Sequence, residues 1–467
     1  MTTHLHSHIL SSPSGRIGRR YVIPSNPAQQ LVGSFGFRLL VFLGAHVLLA
    51  FLVRSSSVFS TIHAGLTLAL GLYFLMKDDQ PFRLIYLLGY LVGAELIWRG
   101  TNARVFYETG KYAIVFLVFI GLFRYRKLLR ADKRPLIYFV LLLPSLLLLP
   151  YFDREQIAFT LAGPLALAVA AMFFSTVSLN REQLKKLLLA VLAPTISLGV
   201  MAYLGILSVS EIEFVAASLR ATSANIGPNQ VSSILGLGAL VAFLYVTLEN
   251  THKKIRFLII LAVIWLLSQT VLTFSRGGFW TTIGASVAAA VFLIRDRRTR
   301  NIFLMVSVLM VLVMNFLVYP SLERFTTGTL TARFSNFNPT GRFEIIRSDW
   351  VVFLEHPFLG VGPYQSKPYH ALFYRASNAH TEYSRMLAEH GSFGVLALAI
   401  MVWLVIGRII AKRPSESKAF VVAFLVWALL FMAHSATRLV APSFLFGLAF
   451  ADFNLTDAQQ LENDSEI

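Results

Sequence analysis

The chain has 467 residues, of which 56% are hydrophobic and only 14% charged, with a mean hydropathy of +0.65; soluble domains carry about 25% charged residues, so an ordinary soluble enzyme is excluded. The absence of cysteine excludes disulfides, iron–sulfur clusters, thiol nucleophiles and cysteine-ligated zinc. The net charge of +17 comes from basic residues that flank apolar runs, a pattern that points to anionic lipid at a bilayer surface and not to nucleic acid.

In chain order, residues 1–36 form a polar tail containing HLHSH, SSPSG and RIGRRY. The tail lacks the apolar run and small-residue cleavage site of a secretory signal. Its three early histidines read as solvated groups more readily than as metal ligands. Apolar runs then fall near 37–53, 57–76, 84–98, 112–123, 136–150, 157–178, 187–208, 230–248, 257–274, 278–294, 302–319, 391–409, 419–434 and 439–452. The hydropathy predicts an all-α polytopic transmembrane helix bundle of about 12–14 spans, with short runs that are re-entrant or tilted. About eleven spans occupy 37–319, a long loop occupies 320–390, and about three spans occupy 391–452. Residues 453–467 form an acidic polar tail.

Charge fixes the sides. With a cytoplasmic N-terminus the connections alternate, and the majority of the 41 Lys and Arg residues fall on one set, including the clusters at 124–134, 295–300 and 408–418. By the positive-inside rule that set and both termini are cytoplasmic, and loop 320–390 is extracytoplasmic. Arg99, Arg104, Arg220, Arg276 and Arg438 break the rule at separate external helix ends. Taken singly, each reads as an arginine snorkelling to the headgroups. Five on the face that bears the long loop read as an anionic-ligand site, because a guanidinium clamps phosphate through two parallel hydrogen bonds.

The long loop is aromatic and shows helical periodicity, so it reads as structured. From Thr340-Gly341 onward, Phe343, Ile346, Trp350, Phe353 and Leu354 share one helical face, and the helix stops at His356-Pro357. A turn at Gly360-Val361-Gly362-Pro363-Tyr364 follows. A second helix is expected to start near Ser377-Asn378 as N-cap and to end near Gly391. That places His380 in its first turn, where the dipole disfavours an imidazolium and keeps the ring able to accept a proton; a histidine hydrogen-bonded within an ordinary loop is the alternative. Glu389-His390 reads as interfacial. The aromatic residues Phe334, Phe337, Trp350, Tyr364, Tyr369, Phe373 and Tyr374 read mostly as packing onto the bundle, with stacking on sugars as the alternative. Asp78-Asp79 beside Lys77 reads as a solvated cytoplasmic hairpin and not as half of a metal site.

Four segments resemble one family in order and spacing. Gly227-Pro228-Asn229-Gln230 opens a span after the Arg220 loop, and Phe274-Ser275-Arg276-Gly277-Gly278 forms a turn between spans. Thr340-Gly341-Arg342 runs through His356-Pro357 to Gly360-Val361-Gly362. Ser377-Asn378-Ala379-His380-Thr381-Glu382-Tyr383 leads to Leu387, Glu389, Gly391 and Gly394. Over roughly 200–450 this resembles the O-antigen ligase/polymerase superfamily, with Thr381 standing where an Asn often follows the histidine.

The resemblance implies a metal-independent, inverting glycosyltransferase without cofactor in a bacterial cytoplasmic (inner) membrane, its site on the periplasmic face. It would move a glycan from an undecaprenyl-diphosphate-linked donor to an acceptor hydroxyl. On the ligase reading the acceptor is the lipid A core; on the polymerase reading it is a second lipid-linked glycan. The bilayer is the other partner and nucleic acid is none. Arg276 and Arg220 would stabilise the departing diphosphate. His380 would act either as general base or as a diphosphate ligand. Arg342, Asn229, Ser275, Tyr383 and Arg438 would bind substrate. A transporter or flippase is the rival from another class; it calls for internal repeats and midplane ionisable residues, which the apolar runs hardly carry.

Overall fold

The computed structural model describes residues 35–208, 214–215, 217–218, 220–248, 251–295, 297–336, 341–374 and 377–455. The expectations for the tails before 35 and after 455, and for Phe337 and Thr340, lie outside the described residues. Met1–Val41 is a unit separate from Phe42–Ile467, and every contact below lies within the second.

The elements follow the apolar runs. In order they are α1 Phe35–Ser55, α2 Ser57–Lys77, α3 Phe82–Gly100, α4 Thr109–Arg124, α5 Arg134–Val140, α6 Arg154–Phe174, β1 Ser178–Asn180, α7 Arg181–Leu207, α8 Pro228–Thr247, α9 Lys253–Leu272, α10 Arg276–Leu293 and α11 Arg297–Val313. The loop region carries α12 Tyr319–Phe325, α13 Thr329–Ser335, α14 Arg342–Glu355 and α15 Lys367–His370. Then come α16 Glu382–Ile410, α17 Ser415–Ser435, α18 Val440–Leu448 and β2 Asp452–Asn454. The chain is an all-α multi-pass membrane protein: among the described residues, nine helices are long and apolar enough to cross a bilayer. The runs at 136–150 and 439–452 are not full helices. The first is α5 followed by a 3-10 turn at Pro144–Leu148, where a proline without an N–H restarts the chain, and the second is the nine-residue α18.

Helix α8 is buried along its span and forms the centre, whereas the span Thr299–Phe325 is 11% buried and turns its hydrocarbon outward. With lipid as solvent, helices associate by close backbone approach at small residues. A Cβ on Gly278 of α10 would lie 2.2 Å from the Ser232 carbonyl carbon of α8, and one on Gly236 would lie 2.2 Å from Thr282 Oγ1. Only glycine allows α8 and α10 to touch in this way.

The two ends of the bundle keep the charge-derived sets of connections separate. At one end β1 and β2 pair in parallel, Arg181 meets Glu416, and Arg413 meets Asp452. Asp78 pairs with Arg83 within its hairpin, and Asp79 pairs with Arg124 at the end of α4. At the other end the Arg99, Arg276 and Arg438 segments meet the long loop.

Candidate functional site

Two sequence motifs dock directly. Asn229, in the first turn of α8, accepts a 2.7 Å hydrogen bond on Oδ1 from Ser275 Oγ, the N-cap residue of α10. Ser232 Oγ donates to the Ser275 carbonyl at 3.0 Å and accepts from Gly278 N at 3.1 Å. The turn before Ser275 runs through buried Phe274, whose φ of 55° is uncommon for a bulky side chain. This conformation presents the Phe274 carbonyl to Arg333 Nε, which donates to it at 2.9 Å.

Arg276 opens α10, and two arginines of the long loop gather near it. Burial lowers the pKa of Arg342, and the charge of Arg276 lowers it further. Burial likewise lowers Arg333, with Arg276 and Arg342 adding to the effect. A guanidinium stays charged throughout, so three cations from separate segments share a partly desolvated space. Histidine 434, on the last turn of α17, completes this wall. Its Nε2 lies 3.1 Å from Thr281 Oγ1, and a Cβ on Gly277 would come within 2.8 Å of its ring. Arg333 and His434 escape sequence reasoning, since neither lies in a matched motif and only the fold brings them here.

The His380 segment is held by its backbone. Ala436 N donates to the His380 carbonyl at 3.1 Å, and Arg438 Nη2 donates to the carbonyls of Asn378 and Ala379 at 3.1 and 2.7 Å. The guanidinium of Arg438 therefore braces this loop. The helix begins later than the sequence suggests: Thr381, whose hydroxyl accepts from Tyr383 N, is the N-cap, and α16 starts at Glu382. His380 thus precedes the cap and is not in the first turn. Thr381 supplies the capping oxygen that was expected from Ser377 or Asn378. Tyr383 directs its hydroxyl to the Leu429 carbonyl at 2.8 Å, tying α16 to α17. Arg220 is exposed at the start of a largely buried turn, and its carbonyl accepts from Ser223 N and Asn225 N. Among the described residues no hydrogen bond or ion pair joins its guanidinium to the arginine cluster.

Below His380 lies a buried ion network. Arg385 donates to Glu382 Oε1 at 2.5 Å and to Glu389 Oε2 at 2.8 Å, and also reaches the Thr160 carbonyl. Glu382 accepts in turn from Thr437 N and Thr437 Oγ1, both at 3.2 Å. The i, i+3, i+7 spacing of Glu382, Arg385 and Glu389 was a legible sign of one shared helix face. Glu389 and His390 are buried, not interfacial; His390 Nδ1 lies 2.6 Å from Ser145 Oγ. Arg99 is likewise no free anion site, because Glu95 holds it at 2.7 Å and Glu108 at 3.5 Å. Its other nitrogen donates to the Arg438 carbonyl. Burial drives this pairing, as an arginine removed from water needs a counter-ion.

The glycines of the loop motifs do structural work. Gly360 and Gly391 have φ of 70° and 57°, and a Cβ on Gly391 would fall 2.6 Å from Gly360 N. Gly391 interrupts α16, and Val361 N and Gly362 N donate to the Ala388 and Glu389 carbonyls at the break. On α14 the expected apolar face is turned outward: Phe343, Trp350 and Leu354 are exposed, and Ile345, Ser348, Asp349 and Val352 are buried. The polar side is drawn in because Asp349 accepts from His370 Nε2 at 2.7 Å and from Ser384 Oγ at 2.5 Å.

Residues 261–399 match the family model described as O-antigen ligase. That stretch carries Ser275, Arg276, Arg333, Arg342 and His380, and the match supports the O-antigen ligase superfamily. No curated protein matches the chain.

Proposed function

Taking residues 261–399 as an O-antigen ligase domain of a multi-pass membrane protein, we propose that the chain is a glycosyltransferase that moves a glycan from an undecaprenyl-diphosphate carrier to an acceptor hydroxyl. The observation that carries this reading is the convergence of Arg276, Arg333 and Arg342. Burial and their own mutual charge act on the two loop arginines, so an anion placed among them relieves both effects. A diphosphate is such an anion. As the bond from the anomeric carbon to phosphate breaks, the electron pair leaves with the diphosphate, and fixed guanidinium groups stabilise the charge that develops.

The acceptor oxygen attacks the anomeric carbon from the opposite side, which inverts it, and the hydroxyl proton passes to His380 as general base. The hydrogen bonds from Ala436 N and from the Arg438 guanidinium to this segment's carbonyls support this role, since they fix the segment beside the end of α17. The site lies on the periplasmic side of the inner membrane in this reading, and the lipid A core is the acceptor.

The test is a purified-protein assay with lipid-diphosphate glycan as donor, offered either lipid A core or a second lipid-linked glycan. Transfer to lipid A core that is lost in His380→Ala and in Arg276→Ala is expected, with no sensitivity to chelators. Turnover that survives both substitutions would overturn the mechanism. Product growth only on the second lipid-linked glycan would make the chain a polymerase.

A further inference from the structure

Helix α14 divides its residues among three faces. Ile345, Ser348, Asp349 and Val352 are buried, and Asp349 meets Ser384 of α16 at 2.5 Å. Phe343, Ile346, Trp350 and Leu354 recur at helical spacing and form an exposed apolar stripe along the length of the helix. Glu344, Arg347 and Glu355 are exposed along the remaining flank. A continuous apolar stripe of this size on a surface marks contact with another protein or with a membrane.

Both ends of α14 are tied to the ends of membrane spans. At its start, Arg342 lies near enough to Arg276, the first residue of α10, for their charges to act on each other. Just past its end, Ser392 N donates to the carbonyls of Pro357 and Phe358 at 2.7 and 3.1 Å. Ser392 stands where the apolar run of α16 begins, directly after the break at Gly391. A helix of 14 residues is about 21 Å long. It therefore runs along the rim of the bundle, from the end of one span to the end of another.

Beyond α14 the apolar surface continues onto a span. Exposed Phe358 packs its ring 5.7 Å from that of Phe393, and Val395 and Leu396, less than one turn further, are exposed on the span Glu382–Ile410. At the same level Ser145 meets His390 at 2.6 Å, and the neighbouring Leu147 and Phe152 are largely exposed. Large apolar groups from three segments thus stand uncovered where hydrocarbon begins. The charged residues of α14 keep to one flank, as in helices that lie in a bilayer surface with one side in hydrocarbon and another among headgroups.

We propose that α14 is an interfacial helix, seated in the leaflet at the loop-bearing end of the bundle. Phe343, Ile346, Trp350 and Leu354 enter the acyl chains, while Glu344, Arg347 and Glu355 stay among headgroups and water. The occupant of the stripe is phospholipid, because the stripe is continuous with the lipid-facing side of α16. Trp350 suits this depth, since an indole favours the boundary between hydrocarbon and headgroups. The placement rests on the membrane fold alone and is independent of the glycosyl-transfer reading.

The chain has no cysteine, so single cysteines report their surroundings without background. The full chain is placed in nanodiscs of phosphatidylglycerol and phosphatidylethanolamine. Ile346→Cys, Trp350→Cys and Leu354→Cys carry a small fluorophore on the stripe, and Glu344→Cys and Glu355→Cys carry it on the flank; all five positions are exposed. The stripe labels should be quenched severalfold more than the flank labels by phospholipid spin-labelled near the head of its acyl chain. Aqueous iodide should quench them severalfold less. Wild-type protein gives a measurement free of substitution: phospholipid with a photoreactive acyl chain should leave adducts within 343–354, located by mass spectrometry. Stripe labels quenched by iodide as strongly as flank labels overturn the placement, because the stripe then faces water. Stripe labels shielded from both quenchers also overturn it, because a second copy of the chain or another protein then covers the face. If the labelled variants fail to fold, wild type decides: adducts on the span Glu382–Ile410 with none within 343–354 overturn the placement.

Discussion

Ser275 Oγ donates to Asn229 Oδ1 at 2.7 Å, and this bond joins the first turns of the central helix α8 and its neighbour α10 across 46 residues of sequence. It sets where Arg276 begins. Replacing Asn229 by Ala leaves a buried hydroxyl without its acceptor, which costs about 1–3 kcal/mol. The double variant Asn229→Ala/Ser275→Ala should lose less than the sum of the single changes. Thermal unfolding of the three variants in detergent measures the coupling.

Arg342 and Arg276 should matter to turnover far more than to folding. Removing either to Ala is expected to lower kcat by about 10²–10³-fold, the range seen when one preorganised donor to a developing anion is lost. Lysine at either position keeps the charge but loses the planar fork, so partial activity is expected. Steady-state kinetics beside a melting curve separate the two effects.

Arg385 sits between Glu382 and Glu389, all three buried. Arg385→Met strands two carboxylates and should destabilise by about 3–5 kcal/mol. Combining it with Glu382→Gln and Glu389→Gln should restore part of that loss, because no uncompensated charge remains. Yield of folded protein in detergent and its unfolding temperature read out both outcomes.

His370 gives a pH dependence. Burial pulls its pKa down, but the hydrogen bond and charge of Asp349 and the Ser377 carbonyl push it up further, so it ends above the ordinary 6.5. A raised folded pKa means that the His370–Asp349 pair contributes fully below pH 6.5 and fades as pH rises through the folded value. Hydrogen exchange of 341–374 should therefore quicken above pH 6.5, and His370→Gln should flatten that response.

Gly391→Ala tests the break in α16. Its φ of 57° and the 2.6 Å approach to Gly360 N leave no room for a Cβ, so a loss of about 1–3 kcal/mol from strain, increased by the clash, is expected. The loop should come free of the bundle, and limited proteolysis within 341–374 should accelerate.

Much of this architecture was legible in the chain. The apolar runs located α1 to α11 and α16 to α18, because hydrocarbon of that length has nowhere to go but a bilayer or a core. The basic clusters sorted the connections, and the described ends of the bundle keep those sets apart. Local signals failed where three side-chain oxygens competed for one task. Ser377, Asn378 and Thr381 can all cap a helix, and only the packing of Thr437 and Ala436 against Glu382 and His380 selects Thr381. The outward face of α14 was equally hidden, because burial of Asp349 depends on His370 and Ser384, residues far along the chain.

By itself, then, the sequence determined the membrane class, the alternation of charge and the identities of Arg276, Arg342 and His380 as groups of interest, since hydropathy and motif spacing are properties of neighbouring residues. Tertiary structure alone decided which arginines share a space. Arg333 joins Arg276 and Arg342, whereas Arg99 is held by Glu95 and Glu108, and Arg438 braces Asn378 and Ala379. The physical reason is that a buried guanidinium takes its role from whatever lies within hydrogen-bond reach, and that reach is set by how the helices pack.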